Sequence, residues 1–242
     1  MPTTIVMNHA TPHCEQPQEF TTRWHRFVRN IRPLRTVVRQ LREARDRAVD
    51  ARWNVNTTTM PPDAPHRAQR ADSEPYETIW YPVLRRLLRP LHATPEDVVF
   101  DVGSGLGRPL FMFARRGVKR CIGIEASPTL AAASTANASR LRGKRAPIEI
   151  RRGDAAVADY SGGTIYCFFN PFGPETLRAA LSRIHATVRE SPRRVQIAYF
   201  NPFHNHVLAT FGWLRPVRRT RPVLHTIVGT YWIHEPESRR GS

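Results

Sequence analysis

Lysine is nearly missing from this chain. Lys119 and Lys144 stand alone among 37 basic side chains, so arginine carries almost all of the positive charge. The formal net charge is +17. Such a surplus attracts nucleic acid, anionic lipid or acidic proteins. A coding bias toward arginine produces the same imbalance, so charge alone selects no partner. Cysteine is also scarce. The three cysteines form no Cys-x-x-Cys pair, which argues against a zinc site or a disulfide framework, and no metal is expected. Cys121 and Cys167 lie in apolar runs and read as buried free thiols, whereas Cys14 sits in a polar tail. No apolar run approaches about 18 residues, and the first residues lack a continuous apolar core. Neither a transmembrane segment nor a secretory leader is expected, which points to a soluble, cytoplasmic protein.

The 242 residues suffice for one domain with an extension. Residues 1–22 are polar. Over 23–50, arginines alternate with Phe27, Val28, Ile31, Leu34, Val37, Val38 and Leu41 at helical spacing. The segment Arg23–Arg47 reads as a basic amphipathic helix. It either packs on the domain with arginines outward or makes a weak contact with an anionic surface. Residues 56–75, which include three consecutive threonines and Pro61, Pro62 and Pro65, read as a linker or mobile loop. The chain thus divides into a basic extension over 1–73 and a regularly patterned domain over 74–242.

From residue 74 onward the pattern is regular. A helix over Ile79–Leu91 precedes a strand over Val98–Val102. Helix Pro109–Arg116, strand Cys121–Glu125 and a helix to Leu141 follow, with Ser127 as N-cap and Pro128 at its first position. Strand Ile148–Ile150, strand Ile165–Phe169, helix Pro174–Val188, strand Val195–Phe200 and a short helix over His204–Phe211 come next. Two segments near Leu214–Arg219 and Thr226–His234 complete the set. Alternating strands and helices imply a doubly wound α/β sheet, mostly parallel, with helices on both faces. The last two strands are joined by a turn alone and should form an antiparallel hairpin. In such sheets ligands bind beyond the carboxyl ends of the strands.

The first strand runs into Asp101-Val-Gly103-Ser104-Gly105-Leu-Gly107. Glycines let this backbone turn sharply and approach a ligand. A dinucleotide fingerprint would need glycine at 108, where Arg108 stands. A P-loop lysine is absent as well. Asp101 suits an ammonium group better than a pyrophosphate.

The phrase DVGSGLGRPL resembles the first motif of class I S-adenosylmethionine (SAM) dependent methyltransferases, and the likeness extends over about residues 74–235. It implies a seven-strand Rossmann-like sheet with a C-terminal antiparallel hairpin, and SAM as cofactor. It further implies that Asp101, Gly103, Ser104, Gly105 and Gly107 hold the amino-acid end of SAM. Glu125, with Ala126 beside it, takes the ribose hydroxyls. Asp154, with Ala155, faces the adenine. The fourth strand ends in Asn170-Pro171-Phe172, which resembles the Asn/Asp-Pro-Pro-Tyr/Phe motif of amino-methyltransferases with phenylalanine for the second proline. These three residues are the candidate catalytic set. Two plainer readings remain for the turn: Asn170 as a helix cap, and Pro171 as a turn former. The echo Asn201-Pro202-Phe203-His204 after the fifth strand either lines the acceptor pocket or starts a helix with Asn201 as N-cap. The phrase Glu74–Trp80 resembles in part the entry segment of seven-strand protein-lysine methyltransferases, so Tyr76 and Thr78 are candidates for cofactor contact. Thr78 reads alternatively as a helix cap. The leading expectation is N-methylation of a protein lysine or another amine, helped by an apolar slot of Phe168, Phe169, Phe172, Phe200 and Phe203. Nucleic acid and small molecules are the alternative acceptors. A non-catalytic protein of the same fold, docking through its basic segment, is the reading from another class.

Overall fold

A computed structural model describes residues 32–64, 78–220, 222 and 227–236. Tyr76 and the first part of Arg23–Arg47 fall outside that range. The chain divides into two compact units, Met1–Glu43 and Ala44–Ser242. Helix α1 (Arg32–Trp53) crosses the division. Its Arg39 and Glu43 form an i,i+4 pair within the first unit.

The second unit is built on one seven-stranded sheet. Its strands are β1 (Val98–Val102), β2 (Arg120–Glu125), β3 (Ile148–Arg152), β4 (Ile165–Phe169), β5 (Val195–Phe200), β6 (Arg215–Arg219) and β7 (Gly229–His234). Their order across the sheet is β3-β2-β1-β4-β5-β7-β6. The pairs β1–β2, β2–β3, β1–β4 and β4–β5 are parallel. Strand β7 runs antiparallel to both β5 and β6. The helices are α2 (Tyr81–Leu88), α3 (Arg108–Arg116), α4 (Pro128–Arg140), α5 (Pro174–Glu190) and α6 (Asn205–Ala209).

The expected hairpin forms, but its second strand enters the sheet ahead of its first. Composition explains the order. In GTYWIH five of six residues are buried, whereas every residue of RPVRR is exposed. Arginines and Pro216 cannot fill an interior position, because proline breaks the ladder and buried guanidinium groups need partners. The apolar strand therefore takes the inner place, and the arginine strand becomes the edge.

Alternating side chains give the sheet two cores. Val99, Cys121, Ile165, Cys167 and Phe200 meet Leu84, Leu87, Leu88, Leu110, Phe111 and Phe113 from α2 and α3 on one face. Phe100, Ile122, Tyr166, Phe168 and Tyr199 meet Leu177, Leu181 and Ile184 of α5 on the other. Phe100 stacks on Tyr166 at 5.3 Å, with Tyr160 edge-on at 5.6 Å. Burying one such ring contributes about 1.5–3 kcal/mol. Cys121 and Cys167 are buried free thiols, as their apolar surroundings suggest. Burial pushes the Cys121 thiol up to about 12, which leaves it unreactive. Ser127 caps α4, its Oγ accepting from the Leu130 N–H at 3.3 Å. Helix α2, by contrast, has Trp80 at its N-cap and no side-chain cap, so Thr78 does not cap it.

Residues 56–64 are not the loose linker their prolines suggested. Thr57 is fully buried, and Ala64 packs with Leu106 and Leu130 against Met60. No helix among the described residues is long and apolar enough to cross a membrane.

Candidate active site

The loop after β1 lies against the end of β2. The N–H groups of Gly103 and Ser104 both donate to the Ile124 carbonyl, at 2.9 and 3.0 Å. Gly103, Gly105 and Gly107 have φ of 79°, 51° and 89°. A side chain at Gly103 would overlap Pro171, so this glycine admits the turn after β4. At Gly107 a Cβ would lie 2.6 Å from Ser134 Oγ and 2.8 Å from the Phe111 ring.

Asp101 is 3% exposed, and its Oδ2 has no hydrogen-bond partner among the described residues. A buried carboxylate oxygen without a donor is unfavourable. Burial, with Glu125 adding repulsion, raises the Asp101 carboxyl well above its ordinary range. An ammonium group supplies both the missing donors and the missing charge, which is what the amino-acid end of SAM carries. Ser104 Oγ is another buried oxygen without a partner among the described residues.

Glu125 closes the loop. Its Oε2 accepts from the Gly105 N–H at 2.7 Å and its Oε1 from the Ser127 N–H at 2.8 Å. The carboxylate thus ties β2 to the glycine loop and still has lone pairs for a vicinal diol. Burial raises its pKa, partly offset by those N–H donors and that of Ala126. The Gly153 N–H donates to the Glu125 carbonyl at 2.9 Å, which sets Asp154 beside the same strand end. Asp154 is half-buried and its Oδ1 accepts from the Ala156 N–H at 3.0 Å. Ala155 is buried, while Ala126 is exposed. The three acids therefore stand at the carboxyl ends of three adjacent parallel strands.

The β4 turn faces this row. Asn170 has φ 39° and is 8% exposed. Left-handed backbone is uncommon outside glycine, and asparagine tolerates it best. Its Oδ1 accepts from the Tyr199 hydroxyl at 3.0 Å, and that hydroxyl accepts from the His204 N–H at 3.3 Å. The cap readings fail for both turns: the N-cap of α5 is Gly173 and that of α6 is His204. Asn201 shares the left-handed backbone, with φ 50°. Phe172 is buried and packs edge-on to Phe168 at 6.2 Å. Phe168 and Phe200 lie in the two cores, so an open slot of five phenylalanines does not form; Phe203 is 70% exposed.

Two features escaped the sequence reading. Tyr199, which holds Asn170, looked like an ordinary strand residue. Arg108 is the second. It is 3% exposed and pairs with the buried Asp46. Its Nε donates to Thr57 Oγ1 at 2.8 Å, Nη2 to Thr58 Oγ1 at 3.0 Å and Nη1 to the Ile79 carbonyl at 2.7 Å. The guanidinium sits 4.2 Å from the Tyr81 ring centroid. Asp50 adds a second node, accepting from the Tyr81 hydroxyl at 2.6 Å and from Thr57 and Thr58. This network ties Thr57, Thr58, Ile79 and Tyr81 to the start of α3. A positive side chain in the first turn of a helix opposes the helix dipole. That unfavourable placement was the available clue to a buried anionic partner.

No family model and no curated protein matches the chain. Solved structures do. An RNA methyltransferase from Salinibacter ruber in complex with S-adenosyl-L-homocysteine is 21% identical, with a TM-score of 0.51 over 68% of this chain and 98% of that one. A variant of MtNAS in complex with SAM is 17% identical, with a TM-score of 0.50 over 64% of this chain and 63% of that one. The magnesium protoporphyrin IX methyltransferase of Synechocystis, solved with bound SAM, is 15% identical, with a TM-score of 0.48 over 64% of this chain and 77% of that one. By strand order and by the first two of these likenesses, the chain has the Rossmann-like fold of the SAM-dependent methyltransferases.

Proposed function

We propose that the chain is a SAM-dependent methyltransferase acting on an amine nitrogen. One observation carries the reading: Gly103 of the cofactor loop and Pro171 of the β4 turn are in contact, and at the head of that loop the buried Asp101 Oδ2 has no partner among the described residues. SAM supplies a methyl group on a sulfonium, open to displacement. The chain's residues then have two tasks. Asp101, Glu125 and Asp154 hold the cofactor by its ammonium, ribose and adenine. The Asn170 amide and the Pro171 carbonyl align the attacking lone pair, which is where most of the rate gain in such a displacement arises. The N–C bond forms as the C–S bond breaks, sulfur keeps the electron pair, and the amine proton passes to solvent.

A protein lysine must lose its proton before it attacks, and an apolar slot or a base assists that loss. With Phe168, Phe172 and Phe200 in the core, the slot expected for lysine is reduced to the half-buried Phe169 and the exposed Phe203. This favours an acceptor amine that is already uncharged at neutral pH.

The test is to incubate the protein with radiolabelled SAM and a cell lysate, and to follow label into protein, nucleic-acid and small-molecule fractions. Asn170→Ala is expected to abolish transfer while sparing SAM binding in calorimetry. Transfer at full rate by that variant, or no SAM binding by the parent chain, overturns the reading.

A further inference from the structure

Between Glu190 and Glu235 the sequence contains no acidic residue. That span supplies β5, α6, β6 and β7, the half of the sheet beyond the β4 turn. The opposite half holds Asp101, Glu125 and Asp154. A bias toward arginine does not account for this, since it leaves the placement of acids untouched. Within the acid-free half, Arg215, Arg218 and Arg219 are all exposed on the edge strand β6. Among the described residues no carboxylate pairs with them.

Hydrogen bonds join the carboxyl ends of β5 and β6 and the amino end of β7 into one rim. The Asn201 N–H donates to the Val228 carbonyl at 2.8 Å. The Gly229 N–H donates to Thr220 Oγ1 at 2.8 Å, and the Thr220 N–H returns to the Gly229 carbonyl at 2.8 Å. Arg219 is next to Thr220, and Phe203, 70% exposed, is two residues beyond Asn201. In register, Arg219 lies opposite Thr230, Thr230 opposite Tyr199, and Tyr199 opposite Phe168. The arginine edge is thus level with the end of β4, three strand spacings or about 14 Å away. Arg218 aligns with Tyr231 and Arg219 with Thr230, so their side chains leave the edge strand on opposite faces.

We propose that the methyl acceptor belongs to a single-stranded nucleic acid lying across this rim. Arg218 and Arg219 take its phosphates, one base stacks on Phe203, and the exocyclic amine of another reaches Asn170. The proposal rests on the amine-methylation reading. Arginines that track a backbone, next to an exposed ring, are the combination that binds single strands. An exocyclic base amine is uncharged at neutral pH and needs no base to free its lone pair. In a duplex that amine is paired and stacked, out of reach of a nearly buried asparagine. Guarding the edge against strand addition requires only a charge or a proline. It does not require three arginines in acid-free surroundings. A peptide acceptor added to β6 is disfavoured by Pro216 and by the register shift between Pro216 and Arg218, both of which interrupt backbone pairing.

The experiment is fluorescence anisotropy of the full chain with a labelled single-stranded RNA of about 15 nucleotides, at several salt concentrations, with S-adenosyl-L-homocysteine present. The double variant Arg218→Ser/Arg219→Ser is compared with Arg85→Ser/Arg86→Ser, an equal loss of charge from exposed positions of α2. The rim variant is expected to weaken binding at least tenfold, and to lower the slope of log affinity against log salt by about one to two. Phe203→Ala is expected to weaken binding by about tenfold with the salt slope unchanged. The α2 variant is expected to bind within about twofold of the parent chain. Equal losses in the two double variants overturn the proposal, since total charge alone is then at work. Tighter binding of duplex than of single strand, or binding of phosphatidylserine vesicles with the same dependence on Arg218 and Arg219, overturns it as well. Binding is read without methyl transfer, so such a failure leaves the amine reading standing. Conversely, intact RNA binding with label appearing only in small molecules would sink the amine-on-nucleic-acid assignment but not the cofactor site.

Discussion

At the scale of single residues, Asp101 carries the strongest expectation. Its carboxyl is raised by burial and by Glu125. A carboxyl that holds its proton more tightly folded than unfolded makes the folded state bind more protons. Stability of the free protein therefore falls as pH rises from the unfolded carboxylate range through the raised folded value. Asp101→Asn should flatten that fall, and thermal melts across pH will show it. A bound ammonium favours the carboxylate. SAM binding should then release protons, and affinity should climb as pH rises through the same interval, both measurable by calorimetry in buffers of different ionisation enthalpy. A charged hydrogen bond is worth about 1.5–3 kcal/mol, so Asp101→Asn should weaken SAM by roughly 10- to 100-fold. An unchanged affinity would remove Asp101 from the site. On the proposed function, Tyr199 positions Asn170 through its hydroxyl, which donates to the amide oxygen. Tyr199→Phe should lower kcat by about five- to tenfold, with SAM affinity preserved, because one hydrogen bond of about 1–1.5 kcal/mol orients the amide. A matching loss of SAM binding would instead mark Tyr199 as a purely structural residue.

At the scale of elements, the buried Arg108–Asp46 pair joins α1 to α3 within the second unit. Removing one partner of a buried pair strands the other, at about 3–5 kcal/mol. Asp46→Asn and Arg108→Met should each lower stability by that order in urea unfolding. The double variant should recover part of the loss, because two apolar or neutral groups leave no orphan charge. Simple additivity of the two losses would mean that they do not interact. The glycine loop allows a sharper test. Gly103 combines φ 79° with a Cβ position already filled by Pro171. Gly103→Ala should therefore reduce both stability, by about 1 kcal/mol or more, and methyl transfer. Gly212, which has open space around it, should tolerate alanine in the same assays.

For the whole molecule, cofactor binding and folding are linked. A ligand that binds only the folded state stabilises it by about 2.7 kcal/mol at a hundredfold excess over Kd. SAM should raise Tm in the parent chain and raise it distinctly less in Asp101→Asn at the same concentration. The position of β7 makes a further expectation. Ending the chain before Leu214 would remove Tyr231 and Trp232 from the two cores and bare the edge of β5, so that fragment should aggregate rather than fold.

Much of this was legible in sequence, for reasons that differ by element. Strands β1, β4 and β5 are short apolar runs between turn residues, and their limits were read to the residue because period and punctuation agree. Asp101, Glu125 and Asp154 were legible because each closes such a run, and parallel strands bring their carboxyl ends to one side. Local pattern says nothing of partners across the sheet, which are distant in sequence. That is why the contact of Gly103 with Pro171, the Tyr199–Asn170 bond and the Arg108–Asp46–Asp50 network came only from the tertiary structure. The phenylalanines that suggested a lysine slot were assigned by packing as well, since alternation places a ring on one face or the other and only the covering helices decide which face is dry. The sequence by itself determined the α/β alternation, the glycine turn and the row of acids, because these rest on spacing and residue type. The tertiary structure decided that β7 lies inside β6 and that the acid-free arginine strand became the sheet edge, level with the β4 turn across β5 and β7. The physical reason is burial: the strand able to shed its water took the interior, and the strand that could not was left at the edge, charged and open.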